Sequence, residues 1–309
     1  MKPLLPLPQF ICAAALLVGL FSGQLLAQEA VARPPGQPNV SFSIIKTSKV
    51  AVMERLLVPD GSYTTQVDTN FSAFLIKHNQ DYVMLDTGLG SKIDAQYQQD
   101  MPYWMRPFFK YEKPVISARQ QLDAAGFAPI KHVILSHSHW DHASGVTDFP
   151  QAQIMVAADE METITHAGTS SGGSWVSQVA DPAIQWLPVA FTSGAYKGYA
   201  SSLDLYKDGS VVLVPMPGHT PGSLGVFVTV ESGTCYFFIG DVAWKLAALQ
   251  VSAPKFWAAS VIVDNDREQT LNSVKQVQNA MQQDPQLVVV PAHDGAVQDT
   301  LGYFPHWVK

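Results

Sequence analysis

A chain of 309 residues with a formal net charge of −7 at pH 7 has room for one large domain with a substantial core. It is acidic and carries no basic run, which makes it a poor candidate for binding nucleic acid. Of its cysteines, Cys12 and Cys235, only Cys235 would survive removal of the amino-terminal segment. A mature chain then has no internal disulfide, and the thiol is expected to pack as a small apolar group.

Residues 1–27 read as a secretory signal peptide, with Lys2 as the positive start, Ile11 to Leu20 as the apolar core and Leu25-Leu26-Ala27 as the cleavage site. The apolar run is short for a membrane anchor, which needs about 20 residues. Cys12 lies too early to be a lipoprotein cysteine. The mature chain is therefore expected in the periplasm or outside the cell, with no stable membrane span after cleavage. Residues 28–39, with Pro34, Pro35 and Pro38, form a linker, and one domain is expected over 40–309.

Strand-like runs follow at Val40–Ile45, Val50–Leu57 and Phe71–His78, the last forming a hairpin with Tyr82–Leu85 across Asn79-Gln80. Val115–Ala125 reads as helix ending at Gly126, and Lys131–Leu135 as a strand. Gln153–Ala157 reads as a strand and Ala158–His166 as a short helix, with Gly168–Ser174 a Ser/Gly-rich mobile loop. Val211–Met216, Leu224–Val230 and Thr234–Ile239 are strands. Asp266–Met281 is a helix with Leu271, Val274, Val277 and Met281 on one face, opened by Asn265 with Glu268 three residues on. Gln286–Val290 is the last strand. Periodicity by itself gives only a mixture of α and β.

The chemistry concentrates where these strands end. Ser136-His137-Ser138-His139-Trp140-Asp141-His142 follows the strand His132–Leu135 and carries three imidazoles and a carboxylate, the donors that suit a borderline divalent ion such as zinc. His219, in Gly218-His219-Thr220-Pro221-Gly222-Ser223, follows Val211–Val214; Asp241 follows Cys235–Ile239; His293 follows Val288–Val290. A lone histidine after a strand is usually only a polar strand end. Three such positions together with a tight cluster point to ligands collected at one edge of a sheet core.

These motifs, in this order, together with Asp86-Thr87-Gly88 after the strand Asp81–Leu85, resemble the metallo-β-lactamase superfamily over about residues 80 to 294. The resemblance implies an α+β fold, the four-layer αβ/βα sandwich, with the site on the edge between two sheets. It implies two divalent metal ions, zinc first, with iron or manganese as alternatives. By residue-level correspondence His137, His139 and His219 would hold one ion, Asp141, His142 and His293 the other, and Asp241 would bridge them. Two ions about 3.5–4 Å apart would activate a bridging hydroxide as nucleophile, with Asp141 also orienting it as a catalytic residue. Asp86 is expected to brace the turn or a ligand histidine, and Asp294 to do likewise or be solvated. His78, His132, His166 and His306 have no motif around them.

Asp241 tilts the resemblance toward acyl-homoserine-lactonase-like and glyoxalase II-like members and away from antibiotic-degrading ones, where this carboxylate is usually missing. His139, where diiron oxidoreductases usually carry Glu, favours hydrolysis over redox chemistry. The acidic charge argues against the nuclease branches. Met101–Tyr111 and Val242–Trp257 are rich in apolar and aromatic side chains. The first reads either as a lid over the metals or as a packing or dimer segment. Both suit a small-molecule substrate with an apolar portion, such as an acyl-chain lactone or another ester. No basic cluster is present for the carboxylates of a glutathione thioester. The expected activity is a secreted dinuclear zinc hydrolase. A β-lactamase, an iron-dependent oxidoreductase of the same fold and a non-catalytic metal-binding domain are the alternatives, and oligomeric state is left open.

Overall fold

In a computed structural model the described residues are 38–168, 173–251 and 255–309. The expected signal peptide, nearly all of the expected linker, and residues 169–172 of the Ser/Gly-rich stretch lie outside them. No helix among the described residues is long and apolar enough to cross a membrane.

β-Branched and aromatic residues in alternation build two sheets. The first has six strands in spatial order β1 (Val40–Met53), β2 (Gln66–His78), β3 (Asp81–Leu85), β4 (His132–Ile134), β5 (Gln153–Ala157) and β6 (Gln185–Val189). Its first three strands pair antiparallel and its last four run parallel. The second sheet has the order β11 (Val288–Val290), β10 (Cys235–Phe238), β9 (Leu224–Thr229), β8 (Val211–Pro215) and β7 (Leu203–Asp204).

Alternation along each strand separates three apolar layers. Phe42, Ile44, Phe74 and Ile76 of the first sheet meet Leu213, Val226, Tyr236 and Phe238 of the second. On the far side of the first sheet, Ile45, Ala73, Leu75 and Val133 pack with Ala118 and Leu122 of the helix Ala118–Ala124. On the far side of the second, Val212, Phe227 and Phe237 pack with Val274, Val277 and Ala280 of the helix Arg267–Gln283. Helix, sheet, sheet, helix is the expected αβ/βα sandwich.

Several local expectations are corrected. Val40–Ile45 and the first part of Val50–Leu57, up to Met53, are one strand, β1, whose pairing with β2 shifts register between Lys46 and Ser48. A bulge absorbs the extra residue and keeps the ladder continuous. The chain then leaves as a helical turn, Glu54–Leu57, rather than extending as strand. The helix expected from Val115 begins at Ala118, because Ser117 caps it in a capping box with Gln120. The long helix is capped by Asp266, one residue after the expected Asn265; its carboxylate accepts from the N–H groups of Glu268 and Gln269.

Candidate metal centre

Every strand that feeds the centre ends at the same edge of the sandwich. β4 delivers the loop 136–142, β8 delivers His219, β10 delivers Asp241 and β11 delivers His293. The fold brings together all seven residues singled out in the sequence. Donor atoms of His137, His139 and His219 lie within 4.8 Å of one another, as do those of His137, His142 and Asp241, and those of Asp141, His142 and His293. Asp241 stands between the groups: its Oδ1 is 3.0 Å from His293 Nε2 and 3.3 Å from His142 Nε2, and its Oδ2 is 3.5 Å from His219 Nε2. All seven are buried except Asp141, which is partly exposed.

The imidazoles are aimed by what holds their other nitrogen. His142 Nδ1 is 2.8 Å from Asp86 Oδ2, His219 Nδ1 is 2.9 Å from Asp264 Oδ1, and His293 Nδ1 is 2.8 Å from the carbonyl oxygen of Asn70. His137 Nδ1 is 3.1 Å from Ser136 Oγ. In the neutral imidazole, an N–H donated outward at Nδ1 leaves Nε2 unprotonated and facing the centre, the tautomer that ligates metal. Asp86 therefore braces a histidine of the cluster, and also accepts from the N–H and hydroxyl of Ser136. Asp294 instead caps the helix Gly295–Leu301. His78 is a packing residue, 2.7 Å from Asp208 and stacked on Tyr206.

Protein atoms alone do not satisfy this cluster. His137 Nε2 and His219 Nε2 are buried without a hydrogen-bond partner, and Asp241 Oδ1, although close to two imidazoles, makes no well-aligned hydrogen bond. Ring centroids of His137, His139 and His219 lie 4.5–4.7 Å apart. Buried unpaired acceptors converging on one point are costly unless something cationic sits between them, so the donor set fits divalent metal ions.

Electrostatics separate the histidines into two classes. Burial, reinforced by neighbouring imidazoles, holds His137 and His139 well below the usual histidine value. Burial and the Lys255 ammonium lower His219, against the pull of Asp264 and Asp241. Burial also opposes charge on His142 and His293, but nearby carboxylates outweigh it and raise both: Asp86, Asp241 and Asp141 act on His142, Asp241 and Asp141 on His293. Asp241 is depressed well below the usual carboxylate range, because His293 and His142 outweigh its own burial.

Above the centre lies a largely apolar pocket of about 350 Å³ that reaches His139, Asp141, His219, Asp241 and His293. Trp104, Met105, Phe108 and Phe109 form one wall, so part of Met101–Tyr111 does face the site. Met101 is buried in the fold beside Trp140 and Trp175, so the segment also anchors itself. Trp244 forms the floor and donates its indole N–H to Asp241 Oδ2 at 2.7 Å. Ala258, Ala259, Ile262 and Val263 of the helix Trp257–Val263 complete the opposite wall. Sequence reading stopped at Trp257 and missed that helix, although the apolar run Val261-Ile262-Val263 was visible. It also missed Asp264 and Glu160, buried carboxylates without any local motif.

A family model for the metallo-beta-lactamase superfamily matches residues 70–293, which include all seven clustered residues. A probable metallo-hydrolase of Mycobacterium tuberculosis is 28% identical over 71% of this chain and 73% of its own length. The N-acyl homoserine lactonase AttM of Agrobacterium fabrum is 28% identical over 61% of this chain and 71% of its own. Among solved structures, AiiA of B. thuringiensis with N-decanoyl-L-homoserine at its active site superposes with a TM-score of 0.68 at 16% identity, covering 87% of this chain and 98% of that one. The chain belongs to the metallo-beta-lactamase superfamily, as a metal-dependent hydrolase.

Proposed function

We propose that this chain is a dinuclear zinc hydrolase that opens a lactone or ester with an apolar acyl portion, and that it works in the periplasm or outside the cell. The observation that carries the reading is a seven-residue cluster, five members of which (His139, Asp141, His219, Asp241 and His293) line a largely apolar pocket of about 350 Å³. His137, His139 and His219 would hold one ion, Asp141, His142 and His293 the second, with Asp241 between them. Five imidazoles and two carboxylates suit zinc. Bound ions would supply Lewis acidity to a carbonyl oxygen and lower the pKa of a coordinated water.

The chain's own groups do the rest. Asp241 keeps its charge because two imidazoles face it, and Trp244 fixes its Oδ2 by the indole N–H. Asp141 Oδ2, 3.3 Å from His293 Nε2 and open to the pocket, is the carboxylate placed to orient a nucleophile. Phe109, Trp140 and Trp244 wall the floor with apolar surface, which excludes bulk water and strengthens each polar contact. The walls would receive an acyl chain. The similarity to the N-acyl homoserine lactonase AttM and to AiiA with its bound N-decanoyl-L-homoserine supports that choice of substrate.

The test is metal analysis of the purified mature protein with hydrolysis assays on an acyl-homoserine lactone and a cephalosporin. Near two zinc per chain with lactone turnover is the expected result. Cephalosporin turnover without lactone turnover would replace it with a β-lactamase, and iron without hydrolysis of either would move the protein to redox chemistry.

A further inference from the structure

We infer that Glu160 is a positioning residue that selectively builds the His137, His139, His219 side of the metal centre; this rests on the ligand grouping proposed above. Glu160 is fully buried at the start of the helix Glu160–Thr165, just after β5. Its carboxylate joins the two loops that carry those histidines. Oε1 accepts from the backbone N–H of Ser138 at 2.7 Å and from its hydroxyl at 2.6 Å. Oε2 accepts from the hydroxyl of Thr220 at 2.6 Å and from the backbone N–H of Gly222 at 3.1 Å. Ser138 lies between His137 and His139, and Thr220 follows His219.

The contact admits little substitution. A Cβ at Gly222 would fall 2.2 Å from the Glu160 backbone nitrogen, so only glycine lets the loop approach. Both backbone N–H groups are obligate donors. Glutamine at 160 would turn an NH2 toward one of them, setting donor against donor and releasing one loop. The other ligand set is braced elsewhere: His142 by Asp86 and His293 by the Asn70 carbonyl. Loss of the Glu160 buckle is therefore expected to loosen one metal position and leave the other intact.

The experiment compares the mature wild-type chain with Glu160→Gln, Thr220→Val and Thr220→Ser by zinc competition against a chromophoric chelator. Cobalt-substituted visible spectra report each site. Glu160→Gln is expected to weaken one of two metal equivalents by about 10–100-fold while the other stays within about threefold, with the spectrum of the retained site unchanged. Thr220→Val moves the same equivalent by less, and Thr220→Ser restores it. Both equivalents unchanged, or both weakened alike, in Glu160→Gln overturns the inference. If Glu160→Gln does not fold, equal binding by Thr220→Val and Thr220→Ser overturns it. Absence of metal uptake by the wild-type chain would instead defeat the ligand reading, and this inference with it.

Discussion

Asp86→Asn tests how one histidine of the centre is aimed while keeping the size and shape of the side chain that aims it. Asp86 is buried and accepts the Ser136 N–H at 2.7 Å, the Ser136 hydroxyl at 2.8 Å and faces His142 Nδ1 at 2.8 Å. Alanine would strand two donors that cannot re-aim, the Ser136 N–H and His142 Nδ1–H, at about 1–3 kcal/mol each. That is a large share of a stability of about 5–15 kcal/mol, so alanine mixes folding with function. Asparagine tolerates the left-handed backbone at this position, where φ is 55°. Its amide oxygen keeps the Ser136 N–H, and its NH2 then faces His142 Nδ1. An N–H donated to Nδ1 moves the imidazole proton to Nε2, the atom 3.3 Å from Asp241 Oδ1 and turned to the centre. Metal must then reverse that tautomer. The expected loss is about 10–100-fold in affinity, or about 1.4–2.7 kcal/mol, for the equivalent held by Asp141, His142 and His293. Chelator competition measures it, and urea unfolding of the metal-free protein checks that stability falls by much less than for alanine. Wild-type affinity for both equivalents in Asp86→Asn would refute the tautomer argument.

Four further outcomes are expected. His139→Ala and Asp241→Ala abolish turnover in a chain that still folds; full activity in both, with native circular dichroism, would sink the site assignment. Metal binding to the apo-protein near neutral pH releases protons, because carboxylates raise His142 and His293 and hold them charged to higher pH until metal displaces the proton; calorimetry in buffers of different ionisation enthalpy would count none if this is wrong. Activity falls in acid for the same reason, as all five imidazoles must be neutral to ligate. Along a series of acyl-homoserine lactones, kcat/KM rises about fourfold per added methylene, from about 0.8 kcal/mol per buried CH2, until the 350 Å³ pocket is full; a flat series means the acyl chain does not enter it.

The seven clustered residues were legible because each lies in the loop that follows a strand, where type and position are both local information. His219 after β8 and Asp241 after β10 need no tertiary knowledge to be noticed. Their supports were not legible, since those contacts span the chain. Asp264 reaches His219 across 45 residues, and Asn70 reaches His293 across 223. Glu160 carries no motif, and its role appears only when two loops close on it. Among the elements, β5 was read to the residue, whereas β6 went unnoticed because its residues are half-exposed or exposed and include Pro188, as suits an edge strand. The division of strands into two sheets came from the family resemblance; alternation shows that a strand has two faces and not which sheet it joins.

The pocket wall and the metal support are one segment, which constrains how the acyl reading is tested. The helix Trp257–Val263 lines the pocket through Ala258, Ala259, Ile262 and Val263 and runs directly into Asp264, whose carboxylate holds His219. Asp264 is itself tied to that helix by the Ser260 hydroxyl at 2.6 Å and to Lys255, just before it, at 2.6 Å. A bulky residue at Ala258 or Ala259 that pushes the helix outward would carry Asp264 with it and disturb His219 as well as the pocket. Lost activity in such a variant is therefore ambiguous between a filled pocket and a misaimed ligand. Volume-conserving changes at Ile262, such as Ile262→Leu and Ile262→Met, avoid this, because overpacking strain is small for such swaps, under about 1.5 kcal/mol. A shift in the preferred acyl length with unchanged metal affinity assigns the wall to substrate; a joint shift in both assigns it to the support of His219.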